Sequence, residues 1–261
     1  MLIMLKGKIA LVTGAGSGLG QAVAIGLAAQ GAEVILVGRR EHLLSQTQAS
    51  IHAAGGQAVY YAVDVSSKEE VQTLKAEILK QHGTPSVLVN AAGMYGEISS
   101  IADSDPGLWI QTLLTNASGP YLICRAFVGA MIEQGWGRIV NISSAASLAK
   151  PNPKNSAYAV SKVALNHFTR QLAAEVEGTG VTANVLHPGE VMTEMFEHIR
   201  KASGSNGDMA GWVNRVEQTG GDAPEKTVER ILDLIPAEAD SINGQFLWIK
   251  DGLKGPMPSW E

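Results

Sequence analysis

Short, mostly apolar runs recur along the chain with room for one helix between each pair. KIALVT (8–13), AEVILVG (32–38), QAVYYAVDV (57–65), SVLVNAAG (86–93), GRIVNISS (137–144), VTANVLHPG (181–189) and GQFLWIKDG (244–252) have the length and composition of strands. Between them lie segments of helical periodicity: 20–31, closed by Gly31, then 41–54, 67–82, a long stretch at 105–134, 156–176 and 225–235. Strands that are apolar on both faces must be buried on both, and a parallel sheet with helices on either side does that. The pattern therefore predicts an α/β chain: one doubly wound, Rossmann-type domain over residues 1–261, with a mainly parallel seven-stranded sheet and no composition break to mark a second domain. Such folds bind ligands at the carboxyl ends of their strands, so the residues that follow each run are where chemistry is expected.

Composition narrows the function classes. A formal net charge of −5 argues against a nucleic-acid or anionic-membrane surface. No apolar run approaches the roughly 20 residues of a membrane helix, and the apolar part of MLIMLKGKIA is too short for a signal peptide. Cys124 is the sole cysteine, which rules out an internal disulfide and fits a reducing, cytoplasmic setting. The six histidines show no metal-ligand spacing, so no metal is expected.

The first run leads into TGAGSGLG (13–20). The common G-x-G-x-x-G fingerprint fails, because Leu19 stands where its third glycine would be; Gly14, Gly18 and Gly20 instead form G-x-x-x-G-x-G. The physical role is similar: a tight turn, close approach of backbone to a pyrophosphate, and an exposed helix N-terminus for the anion. The second run ends in VGRR, with Gly38 where an NAD site would place an acid for the ribose hydroxyls. Arg39 and Arg40 follow, which favours NADP(H) over NAD(H): no carboxylate repels a 2′-phosphate, and a guanidinium can clamp it. Arg39 is the better placed of the two, Arg40 facing solvent, and Ser17 in the glycine loop is a further donor for the phosphate.

This glycine spacing, with its leading Thr-Gly, resembles that of the short-chain dehydrogenase/reductase family, and further matches extend over nearly the whole chain. The closest likeness is to NADP-dependent ketoreductases and ketoacyl-carrier-protein reductases. The resemblance implies that Gly14, Ser17, Gly18, Leu19 and Gly20 hold the cofactor, and that Asp64, with Val65, contacts the adenine. In the same way NAAG, with Asn90, Ala91 and Gly93, closes the fourth strand beside the cofactor. From NISS it assigns the catalytic serine to Ser144, with Ser143 as its strand-end neighbour. From SAYAVSK it makes Tyr158 the general acid/base and Lys162 the cation that tunes the phenol and grips the nicotinamide ribose. Asn116, in LLTNASG, matches a helical asparagine that helps to hold a relay water. In HPGEVMTEM, Pro188 and Gly189 match the turn beside the nicotinamide, and Val191 and Thr193 the positions that hold its carboxamide.

The expected activity is reversible NADPH-dependent reduction of a small-molecule carbonyl to an alcohol. A dehydrogenase that oxidises a sugar, polyol or steroid alcohol is the alternative within enzymes, and a non-catalytic NADP-binding sensor the alternative outside them. The four-residue spacing of Tyr158 and Lys162 disfavours an enoyl reductase, a branch with six. Residues 194–226, which mix SGSNG with Met195, Phe196, Met209 and Trp212, are expected to form a lid that favours an uncharged or partly apolar substrate, with residues 95–105 and 145–155 as the other walls of the site; Lys150 and Lys154 are weaker candidates for attracting an acidic carrier or substrate. The resemblance also implies a homo-oligomer, a tetramer or dimer built on the long helices and last strand. Cys124 and His187 are read as packing residues.

Overall fold

In the computed structural model, which describes residues 4–250 except 149, 150, 152 and 204–208, every apolar run contributes a strand to one sheet. The elements alternate as β1 (Ile9–Thr13), α1 (Gly18–Ala29), β2 (Glu33–Gly38), α2 (Glu41–Ala53), β3 (Gln57–Ala62), α3 (Lys68–Gln81) and β4 (Val87–Asn90). Then come α4 (Pro106–Leu113), α5 (Gly119–Gln134), β5 (Gly137–Ile142), α6 (Ser156–Glu175), β6 (Val181–His187), α7 (Glu194–Ser203), α8 (Ala210–Thr219), α9 (Glu225–Leu232) and β7 (Phe246–Trp248). The strand order is β3-β2-β1-β4-β5-β6-β7 and every pairing is parallel, so the sheet is wholly rather than mainly parallel. The order reverses between β1 and β4, and both end at the same edge.

Two apolar layers cover the sheet. On one face Val23 and Leu27 of α1 and Val228 and Ile231 of α9 pack on Val12, Val34 and Val140. On the other, Leu74 and Ile78 of α3, Phe127 of α5 and Leu172 of α6 pack on Leu11, Ile35 and Ile139. Residues alternate between the faces along each strand, which is why both periodic positions had to be apolar. No helix among the described residues is long and apolar enough to cross a membrane.

Several boundaries differ from the sequence expectation. β3 stops at Ala62 because Asp64 turns the chain, its Oδ1 accepting from both Ser66 N and Ser66 Oγ. The run at 244–252 narrows to Phe246–Trp248. Its last two residues, Lys150 and most of SGSNG lie outside the described residues. The long helical stretch at 105–134 is not one helix. Asp105 caps α4, with Pro106 in its first turn, and a π turn at Leu114–Ser118 separates α4 from α5. Pro120 has no N–H to offer the Asn116 carbonyl four residues earlier, and the Gly119 N–H reaches back five residues to Leu114 O.

Candidate active site

The glycine loop lies at the switch point. Gly14 and Gly18 have φ of 67° and 53°, in the left-handed region. A Cβ at Gly14 would stand 2.9 Å from Ala92 backbone, and one at Gly20 would stand 2.3 Å from Gly14 O. The loop and the β4 end are tied together through Thr13, whose Oγ1 accepts from Ala91 N and Ala92 N at 3.1 Å each. Asn90 turns the other way: its amide donates to Asn141 Oδ1 at 2.8 Å, inside the sheet. One cavity runs from this loop past Gly38, Asp64 and Val65, along Ala91 and Gly93, to Ser144, Tyr158 and Lys162. Its bare backbone cradle at the N-terminus of α1, with two arginines beyond it, fits an elongated dinucleotide phosphate.

The two arginines differ from expectation in position. Arg39 is well exposed and only 3.9 Å from Asp64 Oδ2. Arg40 is turned over the glycine loop, where its Nη2 donates to Ser17 Oγ and Glu194 Oε2, both at 2.8 Å. Ser17 Oγ in turn donates to Glu194 Oε2 at 3.3 Å. The hydrogen bond and charge of Arg40 hold the Glu194 carboxyl below its ordinary pKa. Glu194 is a site residue that the sequence does not reveal, since nothing around it shows that α7 begins over the glycine loop.

β5 and α6 bring the proposed catalytic groups together. Ser143 and Ser144 point apart, as strand alternation requires: Ser143 Oγ donates to buried Asn166 at 2.6 Å, while Ser144 is hydrogen-bonded to Tyr158 and its Oγ accepts from Ala146 N. Tyr158 and Lys162 lie one turn apart on α6, with Lys162 Nζ 5.6 Å from the phenol ring centroid. Lys162 Nζ donates to Ile142 O at 2.8 Å. Burial pushes the Tyr158 phenol up to about 12, against the hydrogen bond from Ser144 that favours phenolate. Burial also brings the Lys162 ammonium down to about 8.

Asn116 sits in the π turn, fully buried, and clamps the loop after β4. Its Oδ1 accepts from Met94 N at 2.9 Å, and its Nδ2 donates to Met94 O and Ser161 Oγ. It thus links the β4 loop to α6. Pro188, Gly189, Val191 and Thr193 line the cavity opposite, with Thr193 Cγ2 3.1 Å from where a Gly18 Cβ would be. His187 at the β6 end packs edge-on against Trp248, and burial lowers its pKa to about 4, so it is neutral. Cys124 is buried in the sheet-facing layer of α5.

One residue of the 95–105 segment, which the sequence assigns only to a wall of the substrate site, touches Tyr158 directly. Tyr95, in the loop after β4, stacks on the Tyr158 ring with centroids 4.7 Å apart and planes at 26°. It is hydrogen-bonded to Asn155, just before α6. The segment MYGEIS has no periodicity, and only the fold shows which way its tyrosine faces.

The short chain dehydrogenase family pattern matches residues 8–204. A short-chain dehydrogenase of Pseudocercospora fijiensis is 38% identical over 193 residues, 73% of this chain and 62% of that protein, so the match leaves over a third of that relative uncovered. The short-chain reductase protein NovJ of Streptomyces niveus is 35% identical over 250 residues, 94% of this chain and 93% of that one. A single-substitution variant of the actinorhodin polyketide ketoreductase, with NADPH, superposes with a TM-score of 0.86 at 31% identity, covering 95% of this chain and 97% of that one. A gluconate 5-dehydrogenase from Burkholderia cenocepacia, in complex with NADP and tartrate, gives 0.83 at 27% identity, covering 94% of each chain. The chain belongs to the short-chain dehydrogenase family. It is an oxidoreductase that acts on CH–OH or C=O groups.

Proposed function

We propose that the protein reduces a carbonyl to an alcohol, reversibly, with NADPH as hydride donor. The observation that carries this reading is the Ser144–Tyr158–Lys162 cluster, with a hydrogen bond from hydroxyl to phenol and an ammonium beside the ring, at the end of the glycine-loop cavity. The bound cofactor supplies the hydride. Ser144 donates to the substrate oxygen and to the alkoxide that it becomes, a charge best stabilised by a donor already in place. Tyr158 supplies the proton to that oxygen, and Lys162 favours phenolate afterwards. Asn116, with its amide committed to Met94, holds the loop against α6 and positions the lysine's surroundings. A screen of NADPH oxidation against ketones, β-ketoacyl thioesters, quinones and sugars, with NADH in parallel, tests the reading. It fails if no carbonyl is reduced and no corresponding alcohol is oxidised.

NADP(H) is the preferred cofactor in this reading, supported by the arginines after β2 and by NADP-bound relatives. Arg40 and Ser17 are the groups that meet the 2′-phosphate, and Glu194 bonds to both in the unliganded site. The phosphate must therefore take the guanidinium from a carboxylate, whereas NADH has no phosphate and leaves that pair alone. Arg40→Asp is expected to weaken NADPH binding by about 10- to 100-fold, the worth of a charge-assisted hydrogen bond, and to spare NADH. Glu194→Gln is expected to tighten NADPH binding by roughly 3- to 10-fold without moving NADH. Titration of cofactor fluorescence measures both; equal effects on the two cofactors would remove Arg40 from the phosphate site.

The described parts of 194–226 act as the lid, with Phe196 of α7, Trp212 of α8 and Met209 just before α8 lining the cavity. We place the protein in the cytoplasm as a homo-oligomer, a dimer or tetramer. Helices α5 and α6 meet at Tyr121 and Phe168 and leave Tyr121, Val160 and Val163 about half exposed, an apolar face suited to a second copy. Val163→Glu is expected to shift the sedimentation profile toward a smaller species; an unchanged profile would move the interface elsewhere.

A further inference from the structure

Around Tyr158 the cavity changes character. The phenol belongs to one apolar cluster with Tyr95, Phe196 and Met209, and Met195 and Trp212 pack against it. Phe196 and Trp212 are tilted against each other at 5.6 Å. These are flat rings and soft thioethers, surfaces that pack well on a ring and offer little to an anion.

The cationic side chains that line the cavity among the described residues already have partners. Arg39 faces Asp64, Arg40 is bonded to Glu194, and Lys162 Nζ is bonded to Ile142 O. Arg215 Nη2 is 2.6 Å from Glu190 Oε1, which also accepts from Trp212 Nε1 at 2.9 Å. His187 is neutral. A carboxylate or phosphate on the substrate would enter the apolar cluster and find, among the described residues, only cations that it must first draw from these partners.

Tyr95 governs that cluster. Its ring covers one face of the Tyr158 ring, its hydroxyl is hydrogen-bonded to Asn155, and the same hydroxyl lies 3.9 Å from Met209 Sδ on the lid. It thus joins the β4 loop, the start of α6 and α8 at the reacting phenol. We propose that the substrate is an uncharged ketone, or its secondary alcohol, carried on an apolar ring, and that Tyr95 is the specificity-determining residue that selects it. This rests on the carbonyl-reductase reading above.

The experiment compares a matched pair in NADPH oxidation by the full chain: 4-methylcyclohexanone and 4-oxocyclohexanecarboxylate. The neutral ketone is expected to have a kcat/KM at least about 100-fold higher, because the carboxylate is desolvated without a partner. In Tyr95→Ala that ratio is expected to fall below about 10, chiefly through a raised KM for the neutral ketone, since the change removes a wall and admits water. Tyr95→Phe, which keeps the ring, should hold the ratio near wild type. NADPH binding counts the folded sites in each variant, and Tyr95→Leu replaces Tyr95→Ala if that protein does not fold. A variant that loses folded sites but keeps the wild-type ratio overturns the role of Tyr95. Preference for the carboxylate, or equal use of both, overturns the substrate class while leaving the carbonyl-reductase reading intact. NADPH bound but neither ketone reduced, and neither alcohol oxidised, overturns both.

Discussion

Tyr158→Phe is expected to lower turnover by about 10²- to 10⁴-fold, the range for loss of a general acid, while NADPH binding stays within a few-fold of wild type. The substitution is sparing in structural terms. Phenylalanine keeps the ring that stacks on Tyr95 at 4.7 Å, and removes only the hydroxyl and its hydrogen bond with Ser144. Cofactor affinity should survive, because the glycine loop and Lys162 are untouched. The pH dependence follows from the direction of the phenol shift. In the unliganded site burial holds Tyr158 protonated, with a pKa raised from 10.0 to about 12. With Tyr158 in the proposed acid/base role, reduction needs the protonated phenol and oxidation the phenolate, so at saturating substrate the oxidation rate is expected to rise with pH and the reduction rate to fall. The positive ring of an oxidised nicotinamide, when bound, would draw the transition below its unliganded position. Rapid-mix kinetics in both directions, with wild type and Tyr158→Phe over the same pH range, check this. Retention of more than about a tenth of wild-type turnover would show that another group supplies the proton.

The legible part of this molecule is what depends on periodicity and on backbone demands. Runs apolar on both faces require a covered parallel sheet, and every one is a strand. The glycines of TGAGSGLG are readable because a Cβ at Gly14 or Gly20 would strike backbone, a constraint that leaves its mark in residue type. The opposed directions of Ser143 and Ser144 follow from strand alternation. What is not legible depends on distant parts of the chain. The local sequence leaves Arg40 facing solvent, but its direction is set by Glu194, 154 positions away. Tyr95 meets Tyr158 only because β4 and α6 bring their ends side by side. The π turn stands between these cases: a proline four residues after Asn116 announces a missing helix bond, but not that the side chain clamps Met94.

Lys162→Met is expected to separate stability from function. Lys162 is 5% exposed, its Nζ donates to Ile142 O, and burial lowers its pKa from 10.5 to about 8. Holding that charge inside the unliganded protein therefore costs on the order of 3 kcal/mol relative to the unfolded chain. Methionine has similar length and no charge, and what it loses is one hydrogen bond, worth about 1–2 kcal/mol. The net expectation is a gain of roughly 1–2 kcal/mol at pH 7, or a Tm higher by about 2–8 °C for a chain of this size, with turnover nearly abolished. The sign can be checked by pH. The unfolded chain holds the lysine proton more tightly than the folded protein, so wild-type stability gains from this group as pH rises from about 8 to 10.5. The variant lacks that gain, so its advantage should be full below about pH 8, vanish at about pH 9 to 9.5 and turn into a deficit of about the lost hydrogen bond by about pH 10.5. Urea unfolding of the unliganded proteins at about pH 7 and about pH 9.5 reads the gap directly. A variant less stable than wild type at neutral pH would mean that the Tyr158 ring, 5.6 Å from Nζ, and the Ile142 carbonyl solvate the ammonium better than burial opposes it. The expected result would show that the fold gives up stability to keep a cation beside the phenol before any cofactor arrives.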